Sequence, residues 1–223
     1  MKINLHTHQL SNKRNVLDIV NQYPNDLGEE PAFFSIGIHP WYIELDELPE
    51  NLIIIEDHLK SDSCLALGEC GLDKRIETAL SIQISVFEQQ LLLAEQYQKP
   101  VIIHCVSAFQ ELLEIKSRLQ ITVPFVIHGF SKNVQVMEQL LANNCYISFG
   151  KYLLRNENLA AVFQAVPHNR FFLETDTMEE SLYEVYEKAA EIKAVKIIEV
   201  EQQIVNTALE VFGFSKKLRN VLA

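Results

Sequence analysis

The 223-residue chain has little glycine or proline, seven of each, and no stretch rich in either or in serine divides it. No linker, repeat of 20 to 50 residues or low-complexity segment is visible, so a single domain over residues 1–223 is expected. A 48% hydrophobic content is enough for one sizeable core. No run approaches the roughly 18 apolar residues that a membrane span needs, and the amino terminus has no apolar leader. A cytoplasmic protein without membrane partners is the expectation. Four cysteines, Cys64, Cys70, Cys105 and Cys145, are scattered without a CxxC pair. That spacing excludes a disulfide framework and a structural zinc knuckle, and predicts buried, reduced thiols. Basic charge is also scarce: 19 Lys and Arg against 30 Asp and Glu leave a net charge of −11. Binding of nucleic acid through a broad basic face is thereby excluded, and any such ligand must be held locally.

What is present is a recurrent β-then-α pattern. Six strand-length apolar runs end in polar residues: "AFFSIGIHP" (32–40), "CLALGECGL" (64–72), "PVIIHCV" (100–106), "PFVIHGF" (124–130), "CYISFG" (145–150) and "RFFLETD" (170–176). Amphipathic stretches lie between them, most clearly at 78–98 and 108–119. Near-continuous apolar strands alternating with helices imply a parallel sheet buried on both faces. With "KINLHTH" (2–8) and "NVLDIVNQY" (15–23) there are eight strands, the number that closes an α/β (β/α)8 TIM barrel. His8 to Asn15 is too short for a helix, so the helix between strands 1 and 2 is expected to be missing from a distorted barrel. An open doubly wound sheet is the alternative, disfavoured because no glycine-rich phosphate loop follows the first strand.

In a barrel the active site gathers at the carboxyl ends of the strands. The residues there form a chemically consistent set: His6 and His8, Glu69, His104, His128 and Asp176. His6 and His8, at i and i+2, emerge side by side from a strand. Four histidines and two carboxylates exceed the needs of one metal ion but suit two divalent ions sharing a carboxylate.

"HTH" (6–8), "GIHPW" (37–41), "LGECGLDK" (67–74), "VIIHCVSA" (101–108), "IHGFSKN" (127–133), "ISFG" (147–150) and "LETD" (173–176) resemble the ordered motifs of TatD-family metal-dependent hydrolases, in the amidohydrolase-like barrel group. Gln83, Phe87, Gln90 and Ala94 also resemble that family's helix before the next strand. The resemblance implies a two-metal site and, in many members, deoxyribonuclease activity. By position it makes His6, His8 and Asp176 ligands of one metal, His104 and His128 of the other, and Glu69 the bridge. It also makes Asp176 the catalytic general base and His39 a contact to substrate. The ions are zinc, magnesium or manganese, imidazole favouring a transition metal. Trp41, following a proline, is expected to anchor packing rather than to stack on a base.

Three departures from that pattern stand out, the first bearing on support of the ligands and the other two on substrate. Asn4 stands where the family usually has aspartate, and Val106 where relatives carry arginine two residues after the strand-five histidine. After Asp176, where relatives have an arginine-bearing loop, the chain carries Glu179 and Glu180 and runs almost directly into helix. The expected function is hydrolysis of a phosphoester, either a DNA end or a small substrate, without an extended nucleic-acid surface. The alternatives are hydrolysis of a small phosphorylated or amide metabolite, or a catalytically silent metal-binding barrel.

Overall fold

The computed structural model describes all 223 residues, Met1–Ala223. Its strands are β1 (Lys2–Thr7), β2 (Val16–Gln22), β3 (Phe34–Ile36), β4 (Cys64–Asp73), β5 (Val101–Val106), β6 (Phe125–Ile127), β7 (Cys145–Phe149) and β8 (Phe171–Leu173). Its helices are α1 (Leu48–Leu59), α2 (Leu80–Gln96), α3 (Phe109–Arg118), α4 (Val134–Ala142), α5 (Lys151–Arg155), α6 (Asn158–Ala165), α7 (Leu182–Lys193), α8 (Ile197–Phe212) and α9 (Lys216–Leu222), with a 3-10 turn at Pro40–Tyr42. The strands form one sheet in chain order, parallel where register is defined. A parallel bridge joins Thr7, at the end of β1, to Asp176, just beyond β8. The topology is that of a (β/α)8 barrel without a helix between β1 and β2, as expected, and also without one between β2 and β3. All eight apolar runs are strands, and no helix is long and apolar enough to cross a membrane.

Contacts divide the chain into two compact units, Met1–Val20 with Ile127–Ala223, and Asn21–Val126. In the first, β1 is buried along its whole length. The loop that replaces a helix after β1 is tied by Ser11, whose N–H and hydroxyl both donate to Asp18 Oδ2, at 2.9 and 2.7 Å. Ser181 and Glu184 form a reciprocal cap that starts α7 soon after Asp176. One turn on, the fully buried Tyr186 donates its hydroxyl to the Ile3 carbonyl and accepts the Ile3 N–H, both at 2.9 Å, locking α7 to β1. Val200, Ile204, Ala208 and Val211 recur at helical spacing on the buried side of α8. Phe149, Phe163 and Phe171 stack edge to face in the same core, with centroids 4.9 and 4.8 Å apart.

In the second unit the ten residues of β4 are all buried. α2 packs there with two glutamines, Gln83 and Gln90, on its buried side. Lys116 of α3 reaches the Ile121 and Val123 carbonyls with its ammonium 4.2 Å from the Phe125 ring. All four cysteines are free; three are buried as expected, while Cys105 is half-buried because the end of β5 is partly open.

Candidate metal centre

In the first unit the cluster is built where β1 meets the end of β8. His6 is fully buried on β1, and His8 follows at the strand's mouth, with the two rings edge to face at 5.1 Å. Asp176 reaches them because its N–H donates to the His6 carbonyl at 2.9 Å. Its backbone has φ of 53°, a left-handed conformation uncommon outside glycine, asparagine and aspartate. Asp176 Oδ1 lies 3.5 Å from His8 Nε2 and 3.9 Å from His6 Nε2. Its Oδ2 lies 3.3 Å from the Lys151 ammonium. Burial works to raise the Asp176 carboxyl, but the His8 hydrogen bond and the positive potential of His128, His6 and Lys151 outweigh it. The group is held well below the usual carboxylate range. His128 stands beside this set with its ring 4.6 Å from that of His6. Its Nδ1 is 3.5 Å from Glu174 Oε1, which accepts the Gly129 N–H at 2.6 Å.

Asn4 explains how Asp176 is held. Its Oδ1 accepts the Thr175 N–H at 2.9 Å, and its Nδ2 donates to Thr175 Oγ1 at 2.9 Å and to Asp18 Oδ1 at 3.0 Å. An aspartate could supply the acceptor but neither donor. Asparagine at this departure from the family pattern therefore suits the carboxylate at position 18.

The second unit carries its own cluster on β4 and β5. Glu69 is 3% exposed, and its Oε1 lies 3.0 Å from His104 Nδ1 and 3.2 Å from His39 Nε2. The Trp41 N–H donates to His39 Nδ1 at 3.1 Å. That bond makes Nδ1 the unprotonated nitrogen of a neutral ring, so Nε2–H faces Glu69 as a donor. His104 Nε2 lies 3.4 Å from Asp73 Oδ2, which also accepts the Trp41 indole N–H at 2.9 Å. Burial pushes the Asp73 carboxyl up, but hydrogen bonds from Trp41, the Arg75 N–H and His104 bring it below its ordinary value.

Close backbone approach and side-chain amides fix this second set. Gly71 pairs with His104 across β4 and β5, and a Cβ at Gly71 would fall 2.0 Å from the His104 carbonyl oxygen. Only glycine lets the strand pass so near. Gln83 accepts the Asp73 N–H and donates to the Asp73 and Thr78 carbonyls. Gln90 does the same for the N–H and carbonyl of Ile38, the residue before His39. Asn21 Oδ1 accepts the Glu69 N–H at 2.6 Å.

The donor atoms of His6, His8 and Asp176 all lie within 4.8 Å of one another, as do those of His39, Glu69 and His104. The first set offers imidazole nitrogen and carboxylate oxygen, a donor chemistry that fits a divalent transition ion; in the second, His39 presents Nε2–H to Glu69, which leaves Glu69 and His104 as the candidate donors. Sequence reading missed Glu174 and Lys151. Glu174 was accessible to the i, i+2 argument applied to His6 and His8, since it stands two residues before Asp176. Lys151 was not, because it arrives from α5 with no periodic relation to β8. Trp41 corrects the expected packing anchor: it is 56% exposed, because the turn at Pro40–Tyr42 lifts it out of the core and Asp73 holds its indole N–H.

Comparison with known proteins identifies the family. The family model described as TatD related DNase matches residues 2–213. A putative deoxyribonuclease TATDN1 homolog of Vairimorpha ceranae is 32% identical over 66% of this chain and 52% of its own length. The 3'-5' ssDNA/RNA exonuclease TatD of Edwardsiella piscicida is 29% identical over 75% of the chain and 64% of its own. An uncharacterized metal-dependent hydrolase of Haemophilus influenzae is matched over 58% of its length, so the chain spans little more than half of such relatives. In fold, the chain is similar to YjjV, a TatD homologue of Escherichia coli, with a TM-score of 0.80 at 20% identity, covering 95% of this chain and 98% of that one. A TatD-family hydrolase of Entamoeba histolytica gives 0.78 at 17% identity, covering 95% and 97%. With a family match that takes in both clusters and nearly every strand and helix between them, the chain belongs to the TatD-related DNase family.

Proposed function

We propose that the protein is a metal-dependent hydrolase that cleaves phosphoester bonds in short substrates or at DNA ends, using two divalent ions. The observation that carries this reading is the pair of mixed imidazole and carboxylate clusters. His6, His8 and Asp176 would hold one ion; the allocation of His104 and His128 to the other, with Glu69 shared, rests on the family resemblance. Divalent ions there supply Lewis acidity and lower the pKa of water. Asp176, whose Oδ2 lies 3.3 Å from the Lys151 ammonium, would be the group that takes the proton from the attacking water. His39 Nε2 faces Glu69 at 3.2 Å, and would be the donor to a phosphate oxygen if Glu69 held an ion.

Short substrates are favoured by charge. The net charge is −11, and Arg155 donates through Nε and a terminal nitrogen to Glu180 at 2.6 and 2.8 Å, so this guanidinium is occupied. Few free cations at phosphates mean a shallow salt dependence. The test is metal content of the purified protein, together with hydrolysis of a small phosphodiester, a dinucleotide and a long single strand at low and moderate ionic strength. Expected are turnover of the dinucleotide and the long strand at similar rates, its loss in Asp176→Ala, loss of one ion in Asp176→Ala and loss of both in Glu69→Ala. A metal-loaded protein that cleaves none of them overturns the hydrolase reading. A long strand cleaved orders of magnitude faster, with steep loss on adding salt, overturns the short-substrate reading.

A further inference from the structure

We infer that Trp41 is a stacking platform for the nucleobase next to the scissile phosphate and a specificity-determining residue of this site. This inference rests on the hydrolase reading above. Exposed aromatics are ordinary on protein surfaces and most need no explanation. Trp41 differs in being exposed and pinned at once. Pro40 is buried beneath it, the Trp41 N–H is bound to His39 Nδ1, and the indole N–H is bound to Asp73 Oδ2 at 2.9 Å. The residue is 56% exposed, so these bonds hold the indole at the surface instead of burying it.

The place of that face carries the inference further. The indole stands perpendicular to the His39 ring at 5.1 Å, and its centroid is 5.9 Å from that of His104. Asp73 holds the indole, lies 3.4 Å from His104 Nε2, and accepts the Arg75 N–H at 2.8 Å on the exposed loop that follows. One carboxylate thus sets the aromatic ring and the cluster in a fixed relation. A flat π-face is sequence-tolerant, because every base can stack on it. A ring already held in place gives up little conformational entropy when a base arrives. Tyr42, 48% exposed and packed edge to face on Tyr23 at 5.3 Å, extends the aromatic surface beside it.

Trp41 is the sole tryptophan, so its emission reports on the site without turnover. The experiment titrates the protein in chelator with a thymidine dinucleotide, the same dinucleotide with abasic sugars, and inorganic phosphate. Saturable quenching by the base-bearing ligand alone is expected. With metal restored, the preference in KM for the base-bearing over the abasic dinucleotide should shrink about 5- to 100-fold in Trp41→Ala, and less in Trp41→Phe. Circular dichroism of both variants checks the fold, and Trp41→Phe keeps the test decisive if Trp41→Ala is unstable. Equal quenching by all three ligands, or an unchanged preference in both variants, overturns the inference. So does emission that shifts with protein concentration alone, which would mean that a second copy covers the ring. Selective quenching with no hydrolysis removes the hydrolase reading and leaves the stacking site; hydrolysis with no selective quenching does the reverse.

Discussion

The two clusters use the same side-chain types but are held by different means. In the first unit, Asp176 is positioned through its neighbour Thr175, which Asn4 holds, and by the strand-end bridge to Thr7. In the second, Glu69, His104 and His39 are positioned by strands too close to admit a Cβ, and by three amide side chains that bond their neighbours' backbone. The carboxylates also differ in company: Asp176 has a lysine, whereas Asp73 has an exposed indole. Similar donor sets can thus rest on a side-chain network that substitutes by swapping partners, or on a backbone approach that no substitution preserves. The variants below separate the two.

The largest effect is expected at Gly71. Its φ is 143°, and a Cβ would meet the His104 carbonyl oxygen at 2.0 Å. Backbone strain and overpacking of ~1–3 kcal/mol each put Gly71→Ala about 3–5 kcal/mol below wild type. Gly28 has nothing within 4 Å of an added Cβ, so Gly28→Ala should stay within about 0.5 kcal/mol. Urea midpoints of the two variants decide the matter, and a mild Gly71→Ala would show that β4 and β5 can move apart.

Next is Gln90, whose Oε1 accepts the Ile38 N–H at 2.8 Å and whose Nε2 donates to the Ile38 carbonyl at 3.2 Å. Gln90→Leu keeps the bulk but leaves a buried backbone donor and acceptor unmatched, a loss of about 2–3 kcal/mol. Thermal unfolding measures it; a variant as stable as wild type would mean that this amide does not hold the segment leading to His39.

The fold was legible because its signals are local. Eight apolar runs, each ended by polar residues, were enough to place eight strands, and the short span from His8 to Asn15 was enough to deny a helix there. His6, His8 and Asp176 were legible as strand-end polar residues, and the structure brings them together. What was not legible depends on partners distant in sequence. The direction of the Trp41 ring follows from an acceptor 32 residues away, and Lys151 reaches Asp176 from a separate helix. Gln83 and Gln90 were visible only as family pattern, since a buried glutamine gains its meaning from the backbone groups it faces.

For the first cluster, Asn4→Asp restores the residue usual in the family and should still destabilise by about 2 kcal/mol, through two lost donors and a carboxylate set against Asp18. Adding Asp18→Asn puts a donor back on the other side of the contact. A double-mutant cycle by urea unfolding should show recovery of at least half the loss. If the double variant is no better than the sum of the singles, this network is not the swappable support that distinguishes the first unit.

The smallest effect compares two buried lysines of like design. Lys116 in the second unit caps the Ile121 and Val123 carbonyls, and Lys193 in the first caps those of Gln164 and Val166, close to Phe163 and Phe171. Burial brings the Lys193 ammonium down to about 8. Because the folded value lies below that of the unfolded chain, the unfolded state holds the proton more tightly between the two. The penalty for burying the charge is complete below pH 8, and stability recovers as pH rises from 8 toward the unfolded lysine value of roughly 10.4. Tyr146, pushed up to about 12 by burial and by its hydrogen bond to Glu210, acts oppositely, but only above the ordinary tyrosine value of roughly 10. Cys64 and Cys70, whose thiols burial pushes up, also act oppositely from the ordinary thiol value of roughly 8.5, and Lys99, lowered by burial, acts alike, so the difference from Lys193→Met is what isolates Lys193. From about pH 8 to 10, wild type should gain on Lys193→Met by up to about 1 kcal/mol, after discounting for solvent screening. Melting curves of both proteins at pH 7, 8, 9 and 10 read the difference directly. Parallel pH profiles would show that Lys193 remains charged in the folded state and that its two carbonyl partners offset the burial.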